Sequence, residues 1–564
     1  MIRVRLLMAS IIACASSLLA EGGPEAIRPP IGALAWKDRR PIGRIFLSSA
    51  GWRTATNPSG YLNAKVDVIS GEGRKRFRED LLAYADRCIA NLKAMNAQGV
   101  VVWDLEGYEF PGMVYVGDPR KLPEFSPWMD EVADAFFAKF LKADLRTGLC
   151  IRPNHIFRIR PESVPKWGKW GYILYREPGI VPTNTNEAWL ATLKGAEKDP
   201  VDELSDRIRY ARRRWGCSLY YVDTNNHAVN DNGVEKGVSM SAAMFGRLAG
   251  LHPDVLLIPE HTTPEYYATT APYGQIDMHR MTPPEIRSRY PGAFRLMVLD
   301  RNHPPALWDS LVQGVRDGDV LFCEAWEGPG SAGGATVAAI CREAELRRQS
   351  TQTQVADQGQ AALALGYLDG ITNSPSTNAV ESLLKRAQAD PEWVVRRAAL
   401  RPLALAGRPE GDAFLAGLAA DPTNGLGAHA AVALAAAGPR GLSLLEPVFA
   451  NTNDSMREAR YNAGLGLMGY DGPECLPLLH SLLRDKYSAN RGLALALLKE
   501  KANRFPDPST FTALLEARDR PVNEAFRPRI DEIVNHLKVK GAVEPFDKQA
   551  HEAETKPAVE LGHE

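Results

Sequence analysis

Residues 99–110, GVVVWDLEGYEF, decide how the rest of the chain is interpreted. Residues 100–103 form a short, largely β-branched apolar run, which is typical of a strand buried on both faces. Asp104 and Glu106 follow this run at once, and residues 74–98 before it carry apolar side chains at helical spacing. A helix, a buried strand and acidic residues at the strand's carboxyl end predict one unit of an enzyme-type α/β domain.

The same pattern recurs between residues 44 and 345. Short apolar runs alternate with segments of helical spacing, and they predict strands at 44–48, 100–103, 148–151, 219–222, 255–258, 273–278, 294–299 and 319–323. This alternation fits a (β/α)8 TIM-like barrel, with an open doubly wound sheet as the alternative. No GxGxxG or Walker motif follows any of these runs, so the nucleotide-binding form of that alternative has no support.

After about residue 350, leucine and alanine dominate and strand patterns end. Aspartates recur at spacings of 31, 33 and 31 residues, at Asp390, Asp421, Asp454 and Asp485. This is a helix-pair period and predicts stacked α-hairpins. Residues 390–400, DPEWVVRRAAL, resemble the second-helix signature of HEAT-like repeats. We therefore expect an all-α HEAT-like solenoid over 350–505, a helical cap over 506–542 and a disordered tail over 543–564.

The amino-terminal residues have the features of a targeting segment. A basic start precedes an apolar stretch at 6–20 that is too short to span a bilayer. Residues 1–20 are therefore predicted to be a signal peptide and residues 21–43 a Pro- and Gly-rich leader. The expected location is periplasmic or extracellular. Residues 11–14 also resemble a bacterial lipobox, so a lipoprotein anchored through Cys14 is the alternative.

Length, charge and cysteine content narrow the class of protein. A chain of 564 residues is too long for one core, so we expect two or three domains. The net charge of −1 gives no basic excess for a nucleic-acid partner, and no later stretch is long enough to span a membrane. The seven cysteines are scattered and form no CxxC pair, which argues against a zinc site. No cofactor or metal is expected.

Polar side chains that follow the predicted strands are the candidates for chemistry. A barrel gathers its reactive groups at the strand carboxyl ends, which here carry Asp104, Glu106, His155, Asp223, Glu260, Asp300 and Glu324. Glycosidic-bond hydrolysis needs two carboxyl groups across the sugar, one protonated and one ionised. A carboxyl group near a second carboxylate has a raised pKa and can donate its proton near neutral pH.

Further residues in these loops are candidates for substrate binding. Trp52 and Trp326 offer flat surfaces on which a saccharide can stack, and the alternative for both is core packing. Asn225 and His261 lie close in sequence to Asp223 and Glu260, respectively, and add polar contacts.

With these positions, residues 44–340 resemble the secreted (β/α)8 glycoside hydrolases of the α-amylase and α-galactosidase type. In that type a catalytic aspartate ends the fourth strand, as Asp223 does in LYYVD. The α-amylase type also has a glutamate ending the fifth strand and an aspartate ending the seventh, matching Glu260 and Asp300. The resemblance implies Asp223 as nucleophile and Glu260 as general acid/base. The amylase pattern has an arginine two residues before the aspartate, where this chain has Tyr221.

The expected function is therefore a secreted glycoside hydrolase that acts on a polysaccharide or glycan. Its expected partners are a carbohydrate substrate and, on the HEAT-like repeats, a protein. Two alternatives remain open. One is a non-catalytic carbohydrate-binding protein on a degenerate barrel. The other is a metal-dependent hydrolase that uses residues among His155, His227, His261, Asp300 and His303.

Overall fold

The structure is a computed structural model, and it describes residues 34, 36–107, 117–153, 199–223, 228–229, 235–236, 240–274, 280–299, 305–324, 333–352 and 377–540. The chain divides into two compact units. The first runs to Val298 and includes Gly318–Gly334, and the second comprises Leu299–Asp317 and Ala335–Glu564. The predicted signal peptide and tail lie outside the described residues. Within the described ranges, no helix is both long and apolar enough to cross a membrane.

A parallel sheet forms the centre of the first unit. Its strands are β1 (Ile42–Phe46), β2 (Gly99–Trp103), β3 (Arg146–Ile151), β4 (Leu219–Val222), β5 (Leu256–Pro259), β6 (Leu296–Leu299) and β7 (Val320–Cys323). They are ordered β5-β4-β3-β2-β1-β7-β6. The register pairs Phe46 with Trp103 and Ile151 with Val222, so these strand ends lie side by side. A separate two-residue pair, Ala228–Val229 with Glu235–Lys236, is antiparallel.

Residues 271–273 connect the two ends of this sheet. The backbone N–H of Ala271 donates to the Leu257 oxygen at 3.0 Å, and that of Tyr273 donates to the Pro259 oxygen at 2.9 Å. On the other side, the N–H of Leu296 donates to the Pro272 oxygen at 3.0 Å. The sheet is therefore curled, and the arrangement is a TIM-like α/β fold. The predicted sixth strand at 273–278 starts later than this segment, and residues 275–279 lie outside the described ranges.

Helices follow the strands, as the alternating pattern predicts. In the first unit they are α1 (Gly71–Ala94), α2 (Leu122–Phe125), α3 (Pro127–Lys142), α4 (Pro200–Trp215), α5 (Ala242–Leu251) and α6 (Pro284–Arg289). Helix α1 begins where the Ser70 hydroxyl accepts the backbone N–H of Gly73 at 3.0 Å. Its apolar face, which includes Phe77 and Leu81, is buried.

Alternate residues of the strands form the inner core of the sheet. Because successive side chains of a strand point to opposite faces, every second residue shares one face. The side chains that pack together on the inner face include Ile42, Val101, Trp103, Cys150, Leu219, Tyr221, Leu256, Ile258, Tyr273, Val298 and Phe322. This packing fixes which residue at each strand end continues the inner face.

The second unit is mostly helical in its described residues. It contains α7 (Trp308–Arg316), most of α8 (Gly333–Gln352), α9 (Thr377–Ala389), α10 (Trp393–Ala398), α11 (Leu400–Ala406), α12 (Pro409–Ala420), α13 (Gly427–Ala436), α14 (Pro439–Ala450), α15 (Arg457–Gly466), α16 (Leu476–Leu483), α17 (Ser488–Arg504), α18 (Pro508–Arg518) and α19 (Arg527–Val539). Leucine and alanine side chains supply most of its core. The Arg396 Nη1 donates to the Asp390 oxygen at 2.6 Å, and the Arg491 Nη1 donates to the Asp485 oxygen at 2.9 Å. Two of the recurring aspartates thus make the same contact with an arginine six residues later.

Candidate active site

On four strands, the row of inward-facing side chains ends in a charged residue. Each of these side chains lies two residues beyond a member of the inner core, in the pairs Cys150 and Arg152, Tyr221 and Asp223, Ile258 and Glu260, and Phe322 and Glu324. Because the strands are parallel, these ends lie at one edge of the sheet. The alternation of the strands therefore brings an arginine and three carboxylates together.

Asp223 forms an ion pair with an arginine from the neighbouring strand. The Nε and Nη2 atoms of Arg152 each lie 2.7 Å from Asp223 Oδ2. The Cys150 thiol also lies 3.8 Å from this oxygen. The backbone N–H of Asp223 donates to the Ile151 oxygen at 2.9 Å, which extends the ladder between β3 and β4. Both ends of the aspartate are therefore fixed, and its charge is balanced.

Arg152 is itself positioned by contacts with Gly117 and Arg207. Gly117 has φ +51°, and a Cβ on it would lie 2.8 Å from Arg152 Cγ, so the close approach requires glycine. The Arg152 N–H donates to the Gly117 oxygen at 3.2 Å. Arg207, which is fully buried, donates from Nη1 to the backbone oxygens of both Gly117 and Arg152. Asp118 and Glu203 lie 3.6 Å from its guanidinium group.

The turn after β2 carries two further acids. Asp104 adopts a left-handed backbone conformation with φ +55°, which is uncommon for a residue other than glycine. The Tyr61 hydroxyl donates to the Leu105 oxygen at 2.7 Å, and the Ser126 hydroxyl donates to the Glu106 oxygen at 2.6 Å. Side chains from two other segments therefore hold the turn in this conformation.

The surroundings of these two acids favour the protonated forms. Burial raises the pKa of Asp104 to about 6, with nearby Asp223 adding to the rise and Arg152 opposing it. Burial raises the pKa of Glu106 to about 7, again opposed by Arg152 and increased by nearby Asp118 and Asp104. A carboxyl group whose pKa lies in this range can hold or release a proton near neutral pH.

Two other strand ends complete the edge. The Glu324 carboxylate forms an ion pair with Arg44, an inward-facing residue of β1. The Glu260 Oε2 lies 3.6 Å from His261 Nε2, and burial lowers the pKa of this half-buried histidine. The backbone N–H of Glu260 donates to the Val222 oxygen at 3.1 Å, so Glu260 and Asp223 occupy adjacent strand ends.

An aromatic layer lies beneath these charged groups. The Trp103 and Tyr221 rings are 4.5 Å apart, Tyr221 meets Tyr273 edge-on at 5.4 Å, and Tyr273 meets Phe322 edge-on at 5.9 Å. All four are buried, and burial raises the pKa of both tyrosines. Tyr221, which occupies the position of the amylase arginine, is therefore part of the core.

The sequence-predicted residues fall into two groups. Those at or near the carboxyl edge of the sheet are Asp104, Glu106, Asp223, Glu260, His261 and Glu324, with half-buried Trp52 in the Ala50–Trp52 turn after β1. His155, Asn225, Asp300 and Trp326 lie outside the described residues, as do His227 and His303. In the described ranges no group of three histidine, cysteine or acidic side chains could hold a metal ion. The catalytic roles of Asp223 and Glu260 stay predictions.

Sequence reasoning missed Arg44 and Arg152. A signal for both was present, because each arginine lies in or directly after an apolar run that predicts a buried strand. A guanidinium group in such a place requires a carboxylate partner. The sequence does not indicate which carboxylate this is, since Glu324 is far along the chain from Arg44.

No protein-family model matches the chain. No curated protein matches it either. Solved structures include remote similarities over about half of the chain. An α-L-fucosidase from Lactobacillus casei, in complex with α-L-fucose product, is 10% identical with a TM-score of 0.28, and the match covers 55% of this chain and 97% of the fucosidase. A γ-CGTase from alkalophilic Bacillus clarkii is 11% identical with a TM-score of 0.29, and the match covers 54% and 56% of the two chains.

Proposed function

We propose that the protein is a glycoside hydrolase that acts on a polysaccharide or glycan by a two-carboxylate mechanism. Its first unit is proposed to be a (β/α)8 barrel in which residues 271–273 take the place of the sixth of eight strands. The observation that carries the proposal is the position of Asp223 and Glu260 on adjacent strand ends above a buried aromatic layer. Two carboxyl groups at one edge are what glycosidic-bond hydrolysis requires.

The surroundings of the two acids support different roles. The Arg152 guanidinium favours the charged form of Asp223, as a nucleophile requires. Glu260 directs its carboxylate toward His261, with Oε2 3.6 Å from Nε2. We assign it the general acid/base role, in which a carboxyl group gains and loses a proton during each turnover.

The test is hydrolysis of a panel of aryl glycosides by the wild type and by Asp223→Asn and Glu260→Gln. Asp223→Asn keeps the side-chain shape and removes the charge, so kcat should fall by orders of magnitude while the thermal midpoint changes little. Glu260→Gln should have its smallest effect on substrates with good leaving groups, because these need least protonation. Asp254→Asn is the matched control, since Asp254 is exposed and pairs with Arg212 outside the site.

Equal rates in the wild type and both site variants would refute the assignment of these two residues. If the effect of Glu260→Gln on the hydrolysis rate varied among substrates without following the leaving group, the general acid/base role alone would be refuted. The control should match the wild type on every substrate.

A non-catalytic glycan-binding protein is the second candidate function. It is favoured by the ion pairs of Asp223 with Arg152 and of Glu324 with Arg44, because paired carboxylates also suit a site that only binds hydroxyl groups. Wild-type protein that binds a glycan and turns over no member of the panel would support this candidate.

We further propose that the protein is exported and that its second unit is a HEAT-like solenoid that contacts a protein partner. The support for export is the basic and apolar amino-terminal sequence, and the support for repeats is the aspartate period. Sequencing of the mature amino terminus should give a start between about residues 14 and 22, on usual signal lengths. An intact Met1 in the secreted protein would refute export through a cleaved signal peptide.

A further inference from the structure

Phe46, at the carboxyl end of β1, is an aromatic side chain with no role in the mechanism above. It is 42% exposed, whereas the other aromatic side chains of the described ranges whose burial is given are buried or half-buried. We infer that Phe46 is the stacking face of a sugar subsite whose polar edge is Glu324. This inference rests on the proposed glycoside specificity and adds a site for a single pyranose ring of the substrate.

The strand alternation places Phe46 on the inner face. Ile42 belongs to the inner core, and Arg44, two residues later, has its guanidinium carbon 5.0 Å from the Trp103 ring centre and 5.8 Å from that of Phe322. Phe46 follows two residues later again. Phe46 is therefore the last inward-facing residue of β1, at the edge of the sheet that carries the site.

One side of the Phe46 ring is already occupied. The Arg44 guanidinium carbon lies 4.6 Å from the ring centre, and the Trp103 ring lies 5.7 Å away at an interplanar angle of 46°. Arg44 and Trp103 therefore cover part of the Phe46 ring, and the rest of the ring surface is exposed. A guanidinium group against one face fixes the ring orientation. The free surface is thus a fixed apolar platform at the mouth of the site.

The groups beside this platform are suited to hydroxyl groups. Arg44 pairs with Glu324, which directly follows the neighbouring strand β7 and is only partly buried. A carboxylate accepts hydrogen bonds from ring hydroxyl groups, while the C–H face of a pyranose packs on an aromatic ring. Binding sites that combine aromatic surface with a few placed polar groups take ligands of this amphipathic kind.

The test compares the wild type with Phe46→Ala and the conservative variant Phe46→Trp. Leu251→Ala is the control, because Leu251 is 53% exposed and ends helix α5, which leads to the opposite end of β5. On the best 4-nitrophenyl glycoside, Phe46→Ala should raise KM by about tenfold, the size of one aromatic contact, with kcat nearly unchanged. Phe46→Trp should keep KM within about twofold of the wild type, because it keeps the stacking face.

A wild type that hydrolyses the glycoside, with an unchanged KM in Phe46→Ala, would overturn the subsite and leave the proposed function standing. If the wild type hydrolyses no glycoside, the proposed function fails, and binding of a panel of methyl glycosides, followed by saturation-transfer NMR, decides the subsite. Binding that is weakened in Phe46→Ala and kept in Leu251→Ala supports it. Equal binding in all variants, or no binding to the wild type, overturns it.

Discussion

At the scale of single residues, Arg152 sets the charge balance of the site. It pairs with Asp223 and opposes the rise in pKa of both Asp104 and Glu106. A guanidinium group shared among several acids keeps one carboxylate charged while burial favours protons on the others. Near pH 7 the Glu106 carboxyl group is therefore protonated in about half of the molecules, whereas Asp223 is paired with a guanidinium group.

Glu106 should make the stability of the first unit depend on pH. Its pKa rises from 4.5 to about 7 on folding, so between these values the folded chain holds a proton that the unfolded chain has lost. The stabilising contribution is complete below about pH 4.5 and is lost as the pH rises through about 7. Glu106→Gln cannot ionise and should escape this loss.

The predicted difference in free energy of unfolding between Glu106→Gln and the wild type grows from pH 4.5 to 7, up to ~3 kcal/mol. Urea unfolding at a series of pH values measures it. A difference that stays constant across this range would contradict the buried environment assigned to Glu106. Glu79→Gln, on the exposed side of α1, is the control.

At the scale of elements, the turn after β2 depends on hydrogen bonds from outside the strand. Tyr61 and Ser126 each donate to a backbone oxygen of this turn. Tyr61→Phe leaves the Leu105 oxygen without this donor and should lower stability by about 1–3 kcal/mol. Because Ser126 holds the same turn, Ser126→Ala should combine non-additively with it. A double-mutant cycle measures the coupling, and strictly additive losses would show that the two bonds act independently.

The strands show what the sequence determines and what it does not. Strand β4 has the predicted bounds, because an apolar run is delimited by a polar residue on each side. Strand β1 lies at 42–46 instead of the predicted 44–48, since its register follows pairing of Ile42 with Gly99 and Phe46 with Trp103. Local composition at 44–48 carries no information about a partner strand that lies far along the chain.

The candidate site, like the strands, could be predicted from the sequence only in part. The carboxylates Asp223, Glu260 and Glu324 could be predicted because each follows an apolar run. The pairing of Arg152 with Asp223 and the exposed ring of Phe46 could not, because both depend on neighbouring strands. Arginines in or directly after the apolar runs, here Arg44 and Arg152, are the sequence signal for such pairings.

At the scale of the whole molecule, helix α7 belongs to the second unit although it lies between β6 and β7 in the chain. Within that unit, Glu343 is fully buried and accepts hydrogen bonds from Trp308, Arg347 and Arg397. Arg397 and Arg347 also hold the pKa of Asp309 down to about 2, against the opposing effect of burial. No local sequence pattern indicates this network, because its members come from three helices.

Removal of one partner should destabilise the helical unit. Arg397→Met removes one of the guanidinium groups that pair with the fully buried Glu343 carboxylate, and the loss in free energy of unfolding should be on the order of 3 kcal/mol. Arg342→Met is the matched control, because the ion pair of Arg342 with Glu392 is exposed and should contribute less than about 1 kcal/mol. Calorimetry of the full chain compares the two, and equal losses would contradict the importance of the buried network.

The most direct test of the glycosidase proposal is whether Asp223 forms a covalent bond to the sugar. The wild type is incubated with activated 2-deoxy-2-fluoro analogues of the aryl glycosides that it hydrolyses, and the labelled peptide is identified by mass spectrometry. The predicted result is one glycosyl group per chain, attached to Asp223 and absent from Asp223→Asn. Hydrolysis of the parent glycoside without this label, or a label on another residue, would contradict the assignment of Asp223 as nucleophile.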